Sequence, residues 1–329
     1  MNKGDNVRTI SKLVALVILG ASALSVAAQT ATWPNRPVRL IVSYAAGGSA
    51  DSLARYVALK LSDRWGQPVT VDNKPGGNTI ISAMEAVRAP PDGYTLYQVI
   101  NQTLTLNPYA SSKLPYDPLR DFTPIAQLTN VPMIWVGSDK LPAKTMQEFV
   151  AFSKAHPDEV TVGHAALISQ VAIEQLAREQ GLKFRLVPYK SGVDVTKALL
   201  SGDIDAGFDG PAVYPSHIKA GKVRGLATTG SRRLEAFGGA VPSMTDTGLQ
   251  KKEVPIWYAF IAPAKLPDAI RNKIAADLKE VMALPDVRAR LSEIGMQSNW
   301  AGPDELVKLI NSESAVLGPL VKELGIKID

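Results

Sequence analysis

The spacing of apolar residues changes sharply between residues 38 and 62. Residues 38–43 form a short, mostly apolar run rich in β-branched side chains, which predicts a buried strand. Gly47 and Gly48 interrupt this run, and from Ser49 onward apolar residues recur on one face of a helix that Gly66 ends. The pattern predicts a strand, a glycine turn and a helix N-terminus in immediate succession.

This predicted junction suits an anion. The first N–H groups of a helix lack partners within the helix, the helix dipole is positive there, and glycine lets a ligand approach the backbone. Neither lysine nor arginine occurs between Leu40 and Ala54, so amides and hydroxyls would hold the anion. Asp51, in the first turn, can also receive an ammonium or hydroxyl group of the ligand. A plain connecting turn is the alternative, since the segment matches neither a P-loop nor a nucleophile elbow.

Strand-like and helix-like stretches alternate over the remaining chain, which is typical of an α/β protein. A second such series occupies the middle of the chain, and a helical tail begins near Asp268. This order indicates a chain that leaves its first domain, builds a second and returns. We therefore expect a first domain of residues 29–125 and 250–329, and a second domain of residues 126–249.

A polar segment follows the strand predicted at residues 94–100. Five side chains between Asn101 and Asn107 can donate hydrogen bonds. Open α/β sheets bind ligands in the loops that follow their strands. We therefore expect a loop here, with Asn101 as a candidate ligand contact, although ordinary turn chemistry explains any single one of these residues.

Residues 1–28 have the pattern of a signal peptide. Basic residues precede an apolar run at residues 13–26, and small residues near Ala27-Ala28 suit cleavage. An uncleaved anchor helix is the alternative, but the run is short for a membrane span. The chain has no cysteine, so it offers neither disulfides nor the attachment point of a lipoprotein. We expect a soluble, exported protein of about 300 residues after cleavage, large enough for two domains.

Composition argues against several other functions. The formal net charge is +5, and the longest basic runs are the pairs Arg232-Arg233 and Lys251-Lys252, which is too little for nucleic-acid binding. No spacing typical of a metal site occurs, and nothing indicates a cofactor. Of the three histidines, His164 alone follows a predicted strand, where a side chain can face a cleft. Asp209 ends another predicted strand and is the acidic residue most suited to a site.

Several motifs in order along the chain resemble those of the Bug-type extracytoplasmic solute receptors. These receptors are the substrate-binding components of tripartite tricarboxylate transporters. The matching segments are Trp33-Pro34, residues 47–51 (GGSAD), residues 71–77 (VDNKPGG), residues 91–96 (PDGYTL), Asn107-Pro108, residues 114–118 (LPYDP), residues 120–122 (RDF), residues 187–190 (VPYK) and residues 220–224 (AGKVR). They extend over nearly the whole chain after the predicted signal peptide.

The resemblance implies a two-domain α/β periplasmic-binding-protein fold of type II-like architecture, with the ligand cleft between the domains. It implies a receptor, not an enzyme, that closes on a small carboxylate and delivers it to integral membrane transporter subunits. We expect a monomer without cofactor or metal. In the family, the loop matching residues 44–51 supplies amide and hydroxyl donors, and the loop after the first strand of the second domain faces the ligand.

The sequence departs from the family pattern at three places. Residues 163–170 are shorter and bulkier than the family's glycine- and serine-rich stretch, Ser43 replaces a common proline, and Gly210-Pro211 stands where the family has N-x-P. With these departures in view, the predicted ligand-binding residues are Tyr44, Ala46, Gly47, Gly48, Ser49, Asp51, Asn78, Asn101, Gly163, His164, Ser169, Tyr189 and Asp209.

Two alternative functions are kept open by the sequence. The first is an exported serine hydrolase that uses Ser49 or Ser169 with His164, although no acid is obviously placed behind the histidine. The second is a ligand-sensing receptor for a signalling partner, which would need the same closing cleft as a transport receptor.

Overall fold

The computed structural model describes residues 33–249 and 254–329. The predicted signal peptide at residues 1–28, with its cleavage site, lies outside the described residues, as does the pair Lys251-Lys252. The strands and helices up to the first change of sheet are β1 (Val38–Val42), α1 (Ser49–Trp65), β2 (Val69–Asn73), α2 (Ile80–Val87), β3 (Thr95–Ile100), α3 (Asn101–Thr105), α4 (Asn107–Ala110) and β4 (Phe122–Asn130).

The middle and the end of the chain continue the alternation of strands and helices. The middle contains β5 (Ile134–Ser138), α5 (Met146–Ala155), β6 (Thr161–His164), α6 (Leu167–Gln180), β7 (Arg185–Pro188), α7 (Gly192–Ser201), β8 (Ala206–Asp209), α8 (Pro215–Lys219), β9 (Val223–Thr228) and α9 (Met244–Thr247). The end contains β10 (Trp257–Pro263), α10 (Asp268–Ala283), α11 (Pro285–Glu293), β11 (Gln297–Ala301) and α12 (Pro303–Glu323). Short 3₁₀ turns lie at Gly77–Thr79, Pro211–Val213 and Glu235–Phe237.

The strands form two separate sheets. A six-stranded sheet has the order β11-β4-β10-β3-β1-β2, and a five-stranded sheet has the order β7-β6-β8-β5-β9. In the first sheet β1 pairs in parallel with β2 and β3, while β10 is inserted antiparallel between β3 and β4. We call residues 33–130 with 254–329 the six-stranded half, and residues 134–249 the five-stranded half.

The chain passes from the six-stranded half to the five-stranded half through a short segment that bonds to both halves. Residues 131–133 connect β4 in the first sheet to β5 in the second. Val131 N–H donates to the Ile256 carbonyl at 2.8 Å, and Thr229 N–H donates to the Met133 carbonyl at 2.8 Å. These bonds hold residues 131–133 to both halves at the junction of the two sheets.

Helix α1 forms as its apolar spacing predicts. Leu53, Ala54, Val57 and Leu61 are completely buried against the sheet. Gly66 ends the helix in the left-handed conformation, at φ 62°, which favours glycine because it has no Cβ. The spacing of apolar residues was therefore sufficient to place this helix and its buried face.

The segment at residues 101–107 is helical and buried, so the expected loop is wrong. Asn101, Gln102, Thr103, Thr105 and Asn107 are each at most 1% exposed. Each of these side chains makes at least one hydrogen bond inside the protein; for example, Asn107 Nδ2 donates to the Asn78 carbonyl at 2.8 Å. Buried polar side chains need such partners, and the sequence does not show that distant residues supply them.

Candidate functional site

A small cavity lies where the two halves meet, and its mostly apolar wall carries a few polar groups. The six-stranded half contributes Tyr44, Ser49 and Tyr258 to its wall, and the five-stranded half contributes Ser191 and Asp209. Its volume is about 30 Å³, enough for about one water molecule and less than a dicarboxylate occupies. The walls must therefore separate before an organic acid enters.

The N-terminus of helix α1 forms one wall of the cavity. Gly48 is the N-cap residue in an extended conformation, and Gly47 before it has φ 89°. The loop can turn there because glycine tolerates positive φ. Gly48, Ser49 and Ala50 line the cavity, so the first turn of the helix presents its backbone to the space.

The N-terminus of helix α7 forms the opposite wall. The Ser191 hydroxyl caps the helix by accepting a hydrogen bond from the Asp194 N–H at 3.3 Å. Ser191 and Gly192 both line the cavity. A Cβ atom on Gly192 would lie 2.7 Å from Asp209 Oδ2, so a larger residue there would force the Asp209 carboxyl group to shift. The positive ends of two helix dipoles therefore meet at the cavity, one from each half.

Asp209 brings a carboxyl group into this wall. Its Oδ1 accepts a hydrogen bond from Gly210 N–H at 2.6 Å, while the buried Oδ2 has no partner among the described residues. Burial raises the pKa of Asp209 to about 7, and the bond from Gly210 opposes that shift. Near neutral pH this group can therefore either donate a proton in a hydrogen bond or carry a negative charge.

Two tyrosines complete the polar part of the wall. The buried Tyr44 hydroxyl has no hydrogen-bond partner in the part of the chain that the structure describes. Burial, followed by the neighbouring Tyr258 and Asp209, raises the pKa of Tyr44 well above its ordinary value. Burial likewise raises the pKa of Tyr258. Both groups stay protonated at neutral pH and can donate hydrogen bonds.

Hydrogen bonds join the two halves directly beside the cavity. Ala212 N–H donates to the Ser49 hydroxyl at 3.3 Å. Ile168 N–H, in the first turn of α6, donates to the Gln102 side-chain oxygen at 3.1 Å. Side chains of the six-stranded half thus satisfy backbone donors of the five-stranded half.

The structure brings together only part of the predicted ligand-binding set. Tyr44, Gly48, Ser49 and Asp209 line the cavity. Ala46 and Gly47 are exposed in the loop that leads to the cavity, but they do not line it. The predicted residues that also lie outside the lining are Asp51, Asn78, Asn101, Gly163, His164, Ser169 and Tyr189.

Asp51 stabilises the loop before α1 instead of lining the cavity. Its side chain is buried and accepts hydrogen bonds from Gly47 N–H at 2.9 Å, Arg55 Nε at 2.8 Å and Asn73 Nδ2 at 3.0 Å. Although burial alone would raise the pKa of Asp51, these donors lower it. The carboxylate therefore fixes the turn that positions Ser49 and the N-terminus of α1.

Asn101 belongs to a buried polar cluster of the six-stranded half. Its Nδ2 donates to the Pro255 carbonyl at 2.8 Å and to Glu313 Oε2 at 3.2 Å. Trp257 Nε1 donates to the other oxygen of Glu313 at 2.6 Å. Asn78 is exposed, and its carbonyl accepts from Asn107. Both asparagines thus have structural contacts away from the cavity.

The remaining predicted residues lie within the five-stranded half, where Gly163, His164 and Ser169 are buried and Tyr189 is half-buried. His164 is buried, and its Nδ1 lies 3.2 Å from the Ala166 carbonyl. Burial lowers the pKa of His164, while this backbone contact opposes the shift. The buried Ser169 hydroxyl has no partner among residues 33–249 and 254–329, so no bond to His164 supports a catalytic pair. The geometry gives no support to the serine hydrolase.

Sequence reasoning missed several residues of the wall. Ser191 and Gly192 form an ordinary helix start, and serine at an N-cap is too common to indicate a ligand site. The cavity is also lined by Met133 in the crossing segment, by Ile256 just before β10, and by Tyr258 in β10. The topology brings these distant parts of the sequence together. The one usable signal in the sequence was that Ser191 follows a strand. The structure places Ser191 across the cavity from the glycine turn.

Within the described residues, no group of three or more histidine, cysteine, aspartate or glutamate side chains is placed to hold a metal ion. None of the helices in the described ranges is both long and apolar enough to cross a bilayer.

Two α/β halves joined by crossing segments, with a cavity at their junction, define a two-domain solute-binding protein. The family described as "Tripartite tricarboxylate transporter family receptor" matches residues 53–326. The chain therefore belongs to this family of receptors. This assignment confirms the resemblance and the fold class expected from the sequence, including the cleft between the domains.

Solved structures of receptors are similar to this chain over most of its length. The periplasmic binding protein BugD is 27% identical, with a TM-score of 0.84 over 90% of this chain and 99% of BugD. A Rhodopseudomonas palustris protein solved with adipate is 26% identical, with a TM-score of 0.85 over 90% and 99% of the two chains. MatC of Rhodopseudomonas palustris, solved with malate, is 28% identical, with a TM-score of 0.81 over 88% and 100%. The family and these neighbours are substrate-binding receptors and not enzymes.

Proposed function

We propose that this chain is a periplasmic receptor that captures a small carboxylate between its two halves and delivers it to integral membrane transporter subunits. The single observation that carries the proposal is the convergence of the α1 and α7 N-termini on one cavity. The two helices come from different halves, so a ligand bound to both would hold the halves together.

The chemistry of the wall favours a carboxylate bound without a cationic side chain. No lysine, arginine or histidine is found among the described residues that line the cavity. Backbone N–H groups at the helix N-termini and the hydroxyls of Tyr44, Ser49 and Tyr258 are the available donors, because the Ser191 hydroxyl already donates to Asp194 Oδ2 at 2.8 Å. Hydrogen bonds to a charged group contribute about 1.5–3 kcal/mol each, so several are needed for micromolar affinity of about 8 kcal/mol.

The proposed ligand-binding residues follow from the lining. Tyr44, Gly48, Ser49 and Asp209 are kept from the sequence-based set, and Ser191, Gly192 and Tyr258 are added. The adipate and malate bound to the two Rhodopseudomonas palustris proteins support a small dicarboxylate as the ligand class. Asp209 then favours a ligand that shares a proton with it, because two ionised carboxylates repel each other in a buried site.

The remaining parts of the proposal concern location and assembly. We propose that residues 1–28 are a signal peptide cleaved near Ala27-Ala28, that the mature receptor is a monomer, and that it does not bind nucleic acid. The proposed first domain is residues 29–125 with 250–329, and the second is residues 126–249. The limit between residues 125 and 126 divides β4, although β4 runs in the six-stranded sheet over its whole length. The family membership supports a role in transport.

Isothermal titration against a panel of dicarboxylates, aromatic acids and amino acids tests the proposal. We expect micromolar binding of one dicarboxylate, no turnover, and a decrease in the radius of gyration by small-angle X-ray scattering when it binds. Product formation that is lost in Ser49→Ala would instead support a hydrolase. Neighbouring genes for a large and a small membrane subunit would support delivery to a transporter over signalling.

A further inference from the structure

A second and larger cavity lies on the surface between the two halves. It has a volume of about 690 Å³, within the range of sites that bind drug-sized ligands. The segment after β9 forms one side with Arg232, Arg233 and Glu235, and the elements α10 to β11 form the other side with Lys279, Arg288 and Trp300. We call this cavity the basic groove.

The charges of the basic groove are mostly positive and largely unpaired. Four cationic side chains face one carboxylate in its wall. Arg233 pairs with Asp246 at 3.0 Å, but in residues 33–249 and 254–329 no ion pair joins Arg232, Lys279 or Arg288 to a carboxylate. Lys279 lies over the Trp300 ring, with Nζ 5.0 Å from the ring centroid. The groove therefore attracts an anionic partner.

The carboxylate of the groove wall is already bonded across the junction. The Ser292 hydroxyl, in α11, donates to Glu235 Oε2 at 2.7 Å. This bond connects the six-stranded half to the five-stranded half at the floor of the groove. Because its two sides belong to different halves, the shape of the groove depends on how the halves are arranged.

The groove also reaches the segments that cross between the halves. Arg232 and Gln297 line both the groove and an adjoining depression of about 180 Å³. That depression is formed by Asn130, Pro132 and Pro255, which lie in or beside the crossing segments. A molecule bound in the groove would therefore contact both halves next to the segments that cross between them.

We propose that the basic groove is the docking site for an acidic peptide segment of the membrane partner. The proposal rests on the function proposed above, since it takes that partner to be the transporter. A peptide fits better than a small ion because the cations are exposed and spread over both walls, and several weak contacts add along one chain. Complementary charge would also steer the encounter and make it salt-dependent.

Binding of the peptide in this groove would depend on how the two halves are arranged. A peptide that contacts both walls binds best when they are correctly spaced, so closure on a carboxylate and docking of the peptide should favour each other. The transporter would thereby distinguish the loaded receptor from the unloaded one.

Binding of a fluorescein-labelled hexaglutamate peptide to the full chain, followed by fluorescence anisotropy, tests the proposal. We expect the double variant Arg232→Ala/Lys279→Ala, with one change on each wall, to weaken peptide binding by about tenfold or more. The matched control Arg185→Ala/Lys113→Ala removes one exposed arginine and one exposed lysine elsewhere and should change binding less than about twofold. Thermal melting checks that both variants fold.

The outcomes separate this proposal from the function proposed for the cleft. Equal loss of peptide binding in the groove variant and in the control would overturn the docking site. Citrate that binds as tightly as the peptide, with the same loss in the groove variant, would also overturn it and make the groove a small-anion site. The carboxylate panel titrated into the groove variant should give wild-type affinities. A wild-type chain that binds the peptide but no member of the panel contradicts the cleft proposal alone.

Discussion

The side-chain oxygen of Gln102 accepts a hydrogen bond from the backbone N–H of Ile168 at 3.1 Å. Gln102 follows β3 in the six-stranded half, and Ile168 lies in the first turn of α6 in the five-stranded half. The N-cap residue of α6 is Ala166, which has no side-chain acceptor for the first N–H groups. A glutamine of one half therefore caps a helix of the other.

Replacement of this capping residue should weaken ligand binding without a change in the cavity wall. In Gln102→Ala the Ile168 N–H loses its acceptor when the halves are together, at a cost of about 1 kcal/mol. We expect the affinity for the best dicarboxylate to fall about fivefold because closure is coupled to binding. Isothermal titration measures this change. Gln147→Ala, on the surface of α5, is the control, and equal affinities in both variants would contradict the capping role.

Two glycines of the cavity wall should respond differently to alanine. A Cβ on Gly192 would lie 2.7 Å from Asp209 Oδ2, whereas a Cβ on Gly48 would have Ala45 O at 3.9 Å as its nearest neighbour. We expect Gly192→Ala to displace the carboxyl group and to reduce ligand affinity by about tenfold or more. Gly48→Ala should retain most of the affinity. Isothermal titration compares them, and similar losses would show that Asp209 is not held against α7.

The wall of the site formed by the N-terminus of α1 could be predicted because its sequence signals are local. The change from strand to helix spacing around Gly47 and Gly48 lies within a few residues, and it places Ser49 at a helix N-terminus. Asp51 was harder to interpret, since Arg55 and Asn73 bind its oxygens. Arg55, one helical turn later, was a visible signal that the carboxylate has a structural partner.

The rest of the site depends on the topology of the sheets and could not be predicted in the same way. Tyr258 reaches the cavity because β10 is inserted between β3 and β4, a pairing that joins residues more than 100 positions apart. The pairing of Gln102 with Ile168 likewise crosses from one sheet to the other. A polar residue in such a segment looks like part of a loop until its distant partner is known.

The charge of Asp209 should make ligand binding depend on pH. Its pKa is raised to about 7, so below pH 7 the carboxyl group can donate a hydrogen bond to the ligand, and above pH 7 it repels an anion. We expect the affinity for a dicarboxylate to fall above pH 7, by up to about tenfold per pH unit. Titrations in Asp209→Asn should give affinities that no longer change over this range.

A buried acid outside the cavity provides the control for that measurement. Glu313→Gln changes a carboxyl group whose pKa is also raised to about 7, but it lies in the cluster with Trp257 and Asn101. The pH dependence of binding in this variant should match that of the wild type. Wild-type affinity that increases with pH would contradict the prediction and indicate a ligand with an ammonium group facing Asp209.

Glu313 should affect the pH dependence of folding stability rather than binding. Burial raises its pKa, although hydrogen bonds from Trp257 and Asn101 oppose the shift. Between about pH 4.5 and pH 7 the folded chain then holds a proton on Glu313 that the unfolded chain has lost. The free energy of unfolding therefore falls as pH rises, by about 1.4 kcal/mol per pH unit.

In Glu313→Gln this contribution to the pH dependence is absent. Denaturant unfolding at several pH values should give a shallower slope for this variant, with the contribution of Asp209 remaining. Glu305→Gln, exposed on the same helix α12, should keep the wild-type slope, whereas equal slopes in all three proteins would show that Glu313 is ionised throughout this range.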